Sequence, residues 1–257
     1  MWLRLRQIAL VARELEPVIE DFRAILGVEV CYRDPGVARF GLENALMPVG
    51  DQFVEVVAPI QENTAGGRYL ERRNGDGGYM VITQCDDHGP RRRRVEKLGV
   101  RIVTEFETDH FRDMQLHPKD TGGSFFEIDQ QLGPGALDPD GPWEPAGGAG
   151  WKAARKLDVV TGISAAEIQA DDPHAVAQRW GEIADLPVGR DGQGRLTIAL
   201  DNADLRFVPI ADGRPEGLAG LDLRVVKRDR LLAAARERGC LREDGVVMIC
   251  GMRLYLK

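Results

Sequence analysis

Polar and apolar residues alternate along residues 5–11. Leu5, Gln7, Ala9 and Val11 fall on one side of the expected strand, Arg6, Ile8 and Leu10 on the other. The period then changes. Val18, Phe22, Ile25 and Leu26 recur at helical spacing behind Glu14-Leu15-Glu16-Pro17, a helix-start signature, and Gly27 ends the stripe. Strand patterns follow at 28–32, 37–42 and 52–58, with Pro35-Gly36 and Val49-Gly50-Asp51 as turns. The order β-α-β-β-β recurs: a strand at 79–85, a helix at 91–98 closed by Gly99, and strands at 100–107, 112–116 and 124–129.

Residues 132–158 break the pattern. Gly133-Pro134-Gly135 and Asp138 to Pro145 hold too much Pro and Gly for an element interior, so a linker is expected, with Trp143 or Trp151 pinning it to a domain surface. Two shortened repeats follow, with strands at 163–170, 196–200, 205–209, 221–226, 246–250 and 253–256 and helices at 173–184 and 229–238. The expected architecture is α+β: four βαβββ modules in two tandem domains, 1–131 and 159–257, joined by the linker.

Composition narrows the function classes. The 257 residues carry a formal net charge of −7, which argues against a dedicated nucleic-acid partner. No apolar run reaches membrane-span length, and the first residues lack a signal-peptide core, so a cytoplasmic location without membrane contact is expected. Cys31, Cys85, Cys240 and Cys250 are widely spaced and read as free thiols. The run Arg91 to Arg94 is expected to be a solvated helix face. The pairs Gly66-Gly67 and Gly77-Gly78 are expected to be turns, and 61–76 to cover the mouth of a site.

The stretch Leu116-His117-Pro118-Lys119-Asp120-Thr121-Gly122-Gly123 leads into the strand Ser124 to Asp129. Alternation puts Phe125, Glu127 and Asp129 on one face. A carboxylate among aromatics needs a metal, a cation or a proton.

The repeat and this stretch together resemble the vicinal oxygen chelate superfamily, which includes glyoxalase I, methylmalonyl-CoA epimerase, extradiol dioxygenases and antibiotic-binding resistance proteins. The segment 116–127 is most similar to the epimerases, and Glu55-Val56-Val57-Ala58-Pro59 resembles the strand that ends their first module. The resemblance implies paired modules whose curved mixed sheets form a cup around a divalent ion, with helices outside. Its ligand positions fall on Gln7, Glu55, Met80 (or Tyr79) and Glu127. The family commonly places histidines at the two first-strand positions, and this chain has none there. Gln7, Glu55 and Glu127 could hold a hard ion with waters; otherwise no cofactor is expected. In the second pair the positions fall near Ala165, Leu205, Gly220 and Tyr255, which are poor ligands. A structural half, a dimerisation surface or a lid is expected there.

The resulting expectation is a glyoxalase- or epimerase-like isomerase or lyase acting on a small carbonyl or acyl-thioester compound. Glu55 and Glu127 would move the proton; Gln7, Tyr79, Met80 and His117 would contact substrate, with turn capping as the alternative for His117. The competing readings are a metal-free small-molecule-binding protein and a metal-dependent dioxygenase. Either a monomer or a homodimer suits a four-module chain.

Overall fold

The computed structural model describes residues 1–257. The first module contains β1 (Leu3–Val11), α1 (Leu15–Leu26), β2 (Leu42–Val49) and β3 (Gln52–Pro59). A short helix α2 (Ala65–Arg73) leads to the second module: β4 (Gly77–Cys85), α3 (His88–Lys97), β5 (Ile102–Glu107), β6 (Phe111–Leu116), the one-turn α4 (Pro118–Thr121) and β7 (Phe125–Gln131). β3 runs parallel to β1 and β7 parallel to β4. The antiparallel pair β1–β4 joins the two halves into one mixed sheet of order β2-β3-β1-β4-β7-β6-β5.

The second domain repeats the plan with β8 (Val160–Ala170), α5 (Pro173–Ala184), β9 (Gly189–Arg190), β10 (Leu196–Ala199), β11 (Asp204–Pro209), β12 (Gly217–Val225), α6 (Arg228–Glu237), β13 (Val247–Ile249) and β14 (Met252–Leu256). Its sheet order is β13-β14-β12-β8-β11-β10-β9, again centred on two antiparallel first strands. No helix is long and apolar enough to cross a membrane. All four cysteines are free thiols.

Module one departs from the expected pattern. Residues 28–32 form no strand beyond an isolated bridge from Tyr32 to Leu46, and 37–42 is largely a 3-10 turn, Pro35–Phe40. The Asp34 side chain accepts from the Gly36 N–H, and Pro35 fixes φ, so a tight turn forms where an extended segment was expected. The strand that pairs with β3 is β2, which begins where the expected strand ended.

One apolar core draws residues from both domains, including Leu5, Phe22, Phe126, Trp180, Phe207 and Leu254. Trp180 of α5 stacks on Phe126 of β7 at 4.3 Å, and its indole N–H donates to the Thr121 carbonyl. Gln52 exchanges two hydrogen bonds with the Ile163 backbone, and Asn202 does the same with Leu5. Gly78 is obligatory at this junction, because a Cβ there would lie 2.4 Å from the Leu218 carbonyl oxygen.

The arginine run is solvated only in part: Arg93 is exposed and Arg92 pairs with Glu105 at the surface. Arg91 is buried and donates to the carbonyls of Ala184 and Trp2, while Arg94 donates to the Glu182 carbonyl and pairs with Asp185. The carbonyls of Glu182 and Ala184 end α5, where the helix dipole attracts cations, so Arg91 and Arg94 dock one domain on the other. Nor are Gly66 and Gly67 a turn; they lie inside α2.

A shared core makes the two domains one cooperative unit. Trp180→Ala should therefore lower global stability by about 3–5 kcal/mol. Denaturant unfolding followed by circular dichroism should still show a single transition, and a two-step transition in the native protein would contradict this.

Candidate functional site

The concave face of the first sheet carries the site. Pairing between β1 and β4 shifts register between Leu5 and Gln7. This bulge breaks the expected alternation. Leu5 packs into the shared core with Ile8 and Leu10, while Arg6 joins Gln7 and Ala9 on the concave side. Gln7, Glu55, Met80 and Glu127 lie on one face of four adjacent strands, β3-β1-β4-β7, where Gln7 bonds Glu55 and Gln115 joins Met80 to Glu127.

Glu55 is 8% exposed and sits between two amides. Asn44 Nδ2 donates to its Oε1 at 2.6 Å and Gln7 Nε2 to its Oε2 at 2.8 Å. Both amides are held in orientation: Asn44 Oδ1 accepts from the Asp34 N–H, and Gln7 Oε1 accepts from the Trp143 indole at 2.8 Å. Burial pushes the Glu55 carboxyl up, and the two amide donors oppose that rise.

Glu127, 9% exposed, lies in a different environment. Its Oε2 accepts from Gln115 Nε2 at 3.0 Å, and the same nitrogen lies 3.3 Å from Met80 Sδ. Burial, and then the charge of Asp113, push the Glu127 carboxyl up to about 7. Asp129 is fully buried, and neither carboxylate oxygen meets an N–H or hydroxyl donor. Burial and the adjacent Glu127 hold Asp129 well above the usual carboxylate range, so the pair keeps a proton between them. Asp113, across on β6, is raised to about 6 by burial, against a hydrogen bond from the Phe106 N–H.

These side chains do not fit a divalent ion. Both Glu55 oxygens, one Glu127 oxygen and the Gln7 carbonyl are each turned to an N–H donor, and the Gln7 nitrogen faces Glu55. No three His, Cys, Asp or Glu side chains come close enough together to hold a metal.

The segment after β7 leaves most of its residues exposed and is anchored to the first domain by its two tryptophans. Trp143 and Trp151 are fully buried inside the cup against Phe53 and Phe111. Arg6, 1% exposed, clamps them. Its guanidinium donates to the carbonyls of Asp51, Pro139 and Gly141 and lies 5.4–5.6 Å from the rings of Phe53, Trp143 and Trp151. Burial without a carboxylate partner lowers the Arg6 pKa to about 9, so the cation persists at neutral pH on carbonyl dipoles and aromatic faces.

Outside the cup lies a cleft of about 950 Å³. Arg68, Tyr69 and Arg72 of α2 form one wall, His117 and Lys119 another, and Asp171 and Glu216 of the second domain a third. Arg68, Arg72 and Lys119 are in no ion pair. Phe125 lines the cleft two residues before Glu127 on the same strand face. Tyr79 packs edge-on between Tyr69 and Phe125, at 4.9 and 5.0 Å, and its hydroxyl makes no hydrogen bond to Glu55 or Glu127. His117 caps α4, its Nδ1 accepting from the Lys119 N–H, and it also lines the cleft.

The second cup is filled differently. Glu167, Arg206, Asp222 and Arg253 face inward, whereas the expected Leu205 packs into the apolar core. Arg206 grips Asp222 through both Nη atoms at 2.7–2.8 Å and reaches Glu167 through Nε at 3.0 Å. Arg253 and the Tyr255 hydroxyl donate to the other Glu167 oxygen at 3.0 Å. Both carboxylates thus have cationic partners, unlike Glu55 and Glu127.

Four neighbours of the two glutamates and Gln7 were not marked as such by the sequence pattern. Asn44 was hidden by the misplaced strand. Gln115 and Asp113 share an alternating face of β6, a signal that was present. Trp143 carried no periodicity at all.

A model for a glyoxalase-like domain matches residues 8–184, well over half of the chain. Human mitochondrial methylmalonyl-CoA epimerase is 23% identical over 130 residues, covering 49% of this chain and 73% of the epimerase. The mouse enzyme is equally similar, at 23% over 130 residues. Among solved structures, a Streptomyces coelicolor methylmalonyl-CoA epimerase variant in complex with 2-nitronate-propionyl-CoA superposes with a TM-score of 0.46 at 22% identity, over 52% of this chain and 100% of that one. A 4-hydroxymandelate synthase variant from the same organism superposes over 92% of this chain and 75% of its own, with a TM-score of 0.66 at 12% identity, a likeness of fold. With the family model spanning from β1 to α5, the chain belongs to the glyoxalase-like domain family of the vicinal oxygen chelate superfamily.

Proposed function

We propose that the protein moves a proton on the carbon next to a carbonyl, with an acyl thioester of coenzyme A as the favoured substrate. The observation that carries this reading is the contrast between Glu55 and Glu127. Glu55 accepts two oriented amide N–H bonds, which favour its charged form; Glu127 has one amide donor and two carboxylate neighbours, which favour its protonated form. One base and one acid on one concave sheet face are the apparatus for α-proton transfer. Glu55 takes the proton from the α-carbon, and Glu127 returns one to the other face. The product is the epimer, and the two carboxyls exchange protons with water to reset. The enolate charge is met by the protonated Glu127 and the amide N–H groups.

The similarity to curated epimerases supports the reaction class. The cleft beside Phe125 supports the thioester: its unpaired Arg68, Arg72 and Lys119 suit a ligand that carries phosphates.

Incubation of acyl-CoA substrates in heavy water should place deuterium at the α-carbon, and Glu127→Gln should slow this by about 10²–10⁴-fold. Ligand-induced thermal stabilisation without exchange across a broad panel would instead identify a binding protein.

With Glu127 as the acid, kcat/KM should fall as pH rises through about 7. The same titration should be visible in stability. The folded-state pKa lies above the ordinary value for a glutamate, so the contribution of Glu127 is fully present below about 4.5 and lost as pH rises through about 7. Chemical denaturation should therefore find Glu127→Gln more stable than the native protein at pH 8, by about 1–3 kcal/mol, with the gap closing toward pH 4.5.

A further inference from the structure

We infer that the segment between the two domains completes the site of the first. Trp143 is a positioning residue whose indole N–H fixes the Gln7 amide so that its nitrogen, and not its oxygen, faces Glu55.

Chemistry dictates the direction of this chain. An indole can only donate, so the Gln7 atom it meets must be the carbonyl oxygen. The amide nitrogen is then turned toward Glu55, where it donates at 2.8 Å. Without Trp143 the amide could turn over, and its oxygen would face a carboxylate. All three groups are at least nine-tenths buried, so water is not at hand to replace the missing partner. The other groups acting on Glu55 are Asp34, ahead of the 3-10 turn, Tyr79 of β4 and Glu127 of β7; none is a cation. Glu55 is in no ion pair, which leaves the Gln7 and Asn44 amides to hold it.

The inner position of the indole is itself built. Trp143 packs edge-on against Phe111 at 5.2 Å, and Arg6 ties the segment just ahead of it, through Pro139 and Gly141, to the cup. Trp151 offers an internal comparison. It fills the same cup, but its N–H donates to the Gly141 carbonyl and does not reach Gln7.

The inference rests on the proton-transfer reading for its kinetic consequence and on geometry alone for its spectroscopic one, so the two can fail separately. In ¹⁵N-labelled protein the Trp143 indole N–H resonance should move in Gln7→Met and in Glu55→Gln, because each breaks the chain at a different link. The Trp151 resonance should not move. In α-proton exchange, Trp143→Phe should lower kcat about tenfold with KM nearly unchanged. Trp151→Phe should cost stability and leave kcat as it was.

An indole resonance indifferent to both Gln7→Met and Glu55→Gln would overturn the inference, and so would equal kcat losses in Trp143→Phe and Trp151→Phe. Should Trp143→Phe fail to fold, the two resonance shifts decide the matter. Should no exchange be found on any substrate, the shifts still test the positioning of Gln7, and only the proton-transfer reading falls.

Discussion

A carboxylate carried into a curved sheet must find N–H donors, meet a cation or keep its proton. This protein uses all three solutions, and their distribution organises the molecule. Glu55 finds the amides of Asn44 and Gln7. Glu127 and Asp129 keep a proton between them. In the second domain Glu167 and Asp222 meet Arg206 and Arg253. The first two solutions leave groups that can still exchange protons. The third leaves saturated ion pairs, so the proposed proton transfer is placed in the first cup although the two folds are alike.

The constraint also gives the inter-domain segment its place. A concave sheet face carrying Arg6, Gln7 and Phe53 is too mixed in character to face either water or an ordinary apolar core. Trp143 and Trp151 satisfy it, because each supplies a large apolar surface and one N–H donor. Arg6 is then accommodated by backbone carbonyls and ring faces, without a carboxylate. A stretch rich in Pro and Gly, which from its composition suits a flexible spacer, thus places two tryptophans in the interior while most of its other residues stay exposed.

The docking of the two domains follows from helix ends as much as from apolar packing. Trp180 fills the space against Phe126, while Arg91 and Arg94 answer the carbonyls that end α5. A four-arginine run looks solvated in one dimension because arginines usually are. Here α3 faces the unsatisfied end of another helix, and that neighbour is visible only after folding.

Local order was readable wherever the signal lay within one element. The strand bearing Phe125, Glu127 and Asp129, the left-handed cap at Gly27 and the fourfold repeat all follow from period and turn chemistry over a few residues. So does the convergence of Gln7, Glu55, Met80 and Glu127, since position within a repeated module determines position in the cup. What period could not show was the bulge after Leu5, which moved Arg6 to the concave face, or the 3-10 turn that displaced β2 and hid Asn44. A register shift depends on the partner strand, and a strand's start on the competing turn before it. By itself the sequence determined the architecture and the strand faces of the carboxylates. Tertiary structure alone decided their protonation and orientation, because these depend on donors such as Asn44 and Trp143, which come from distant parts of the chain.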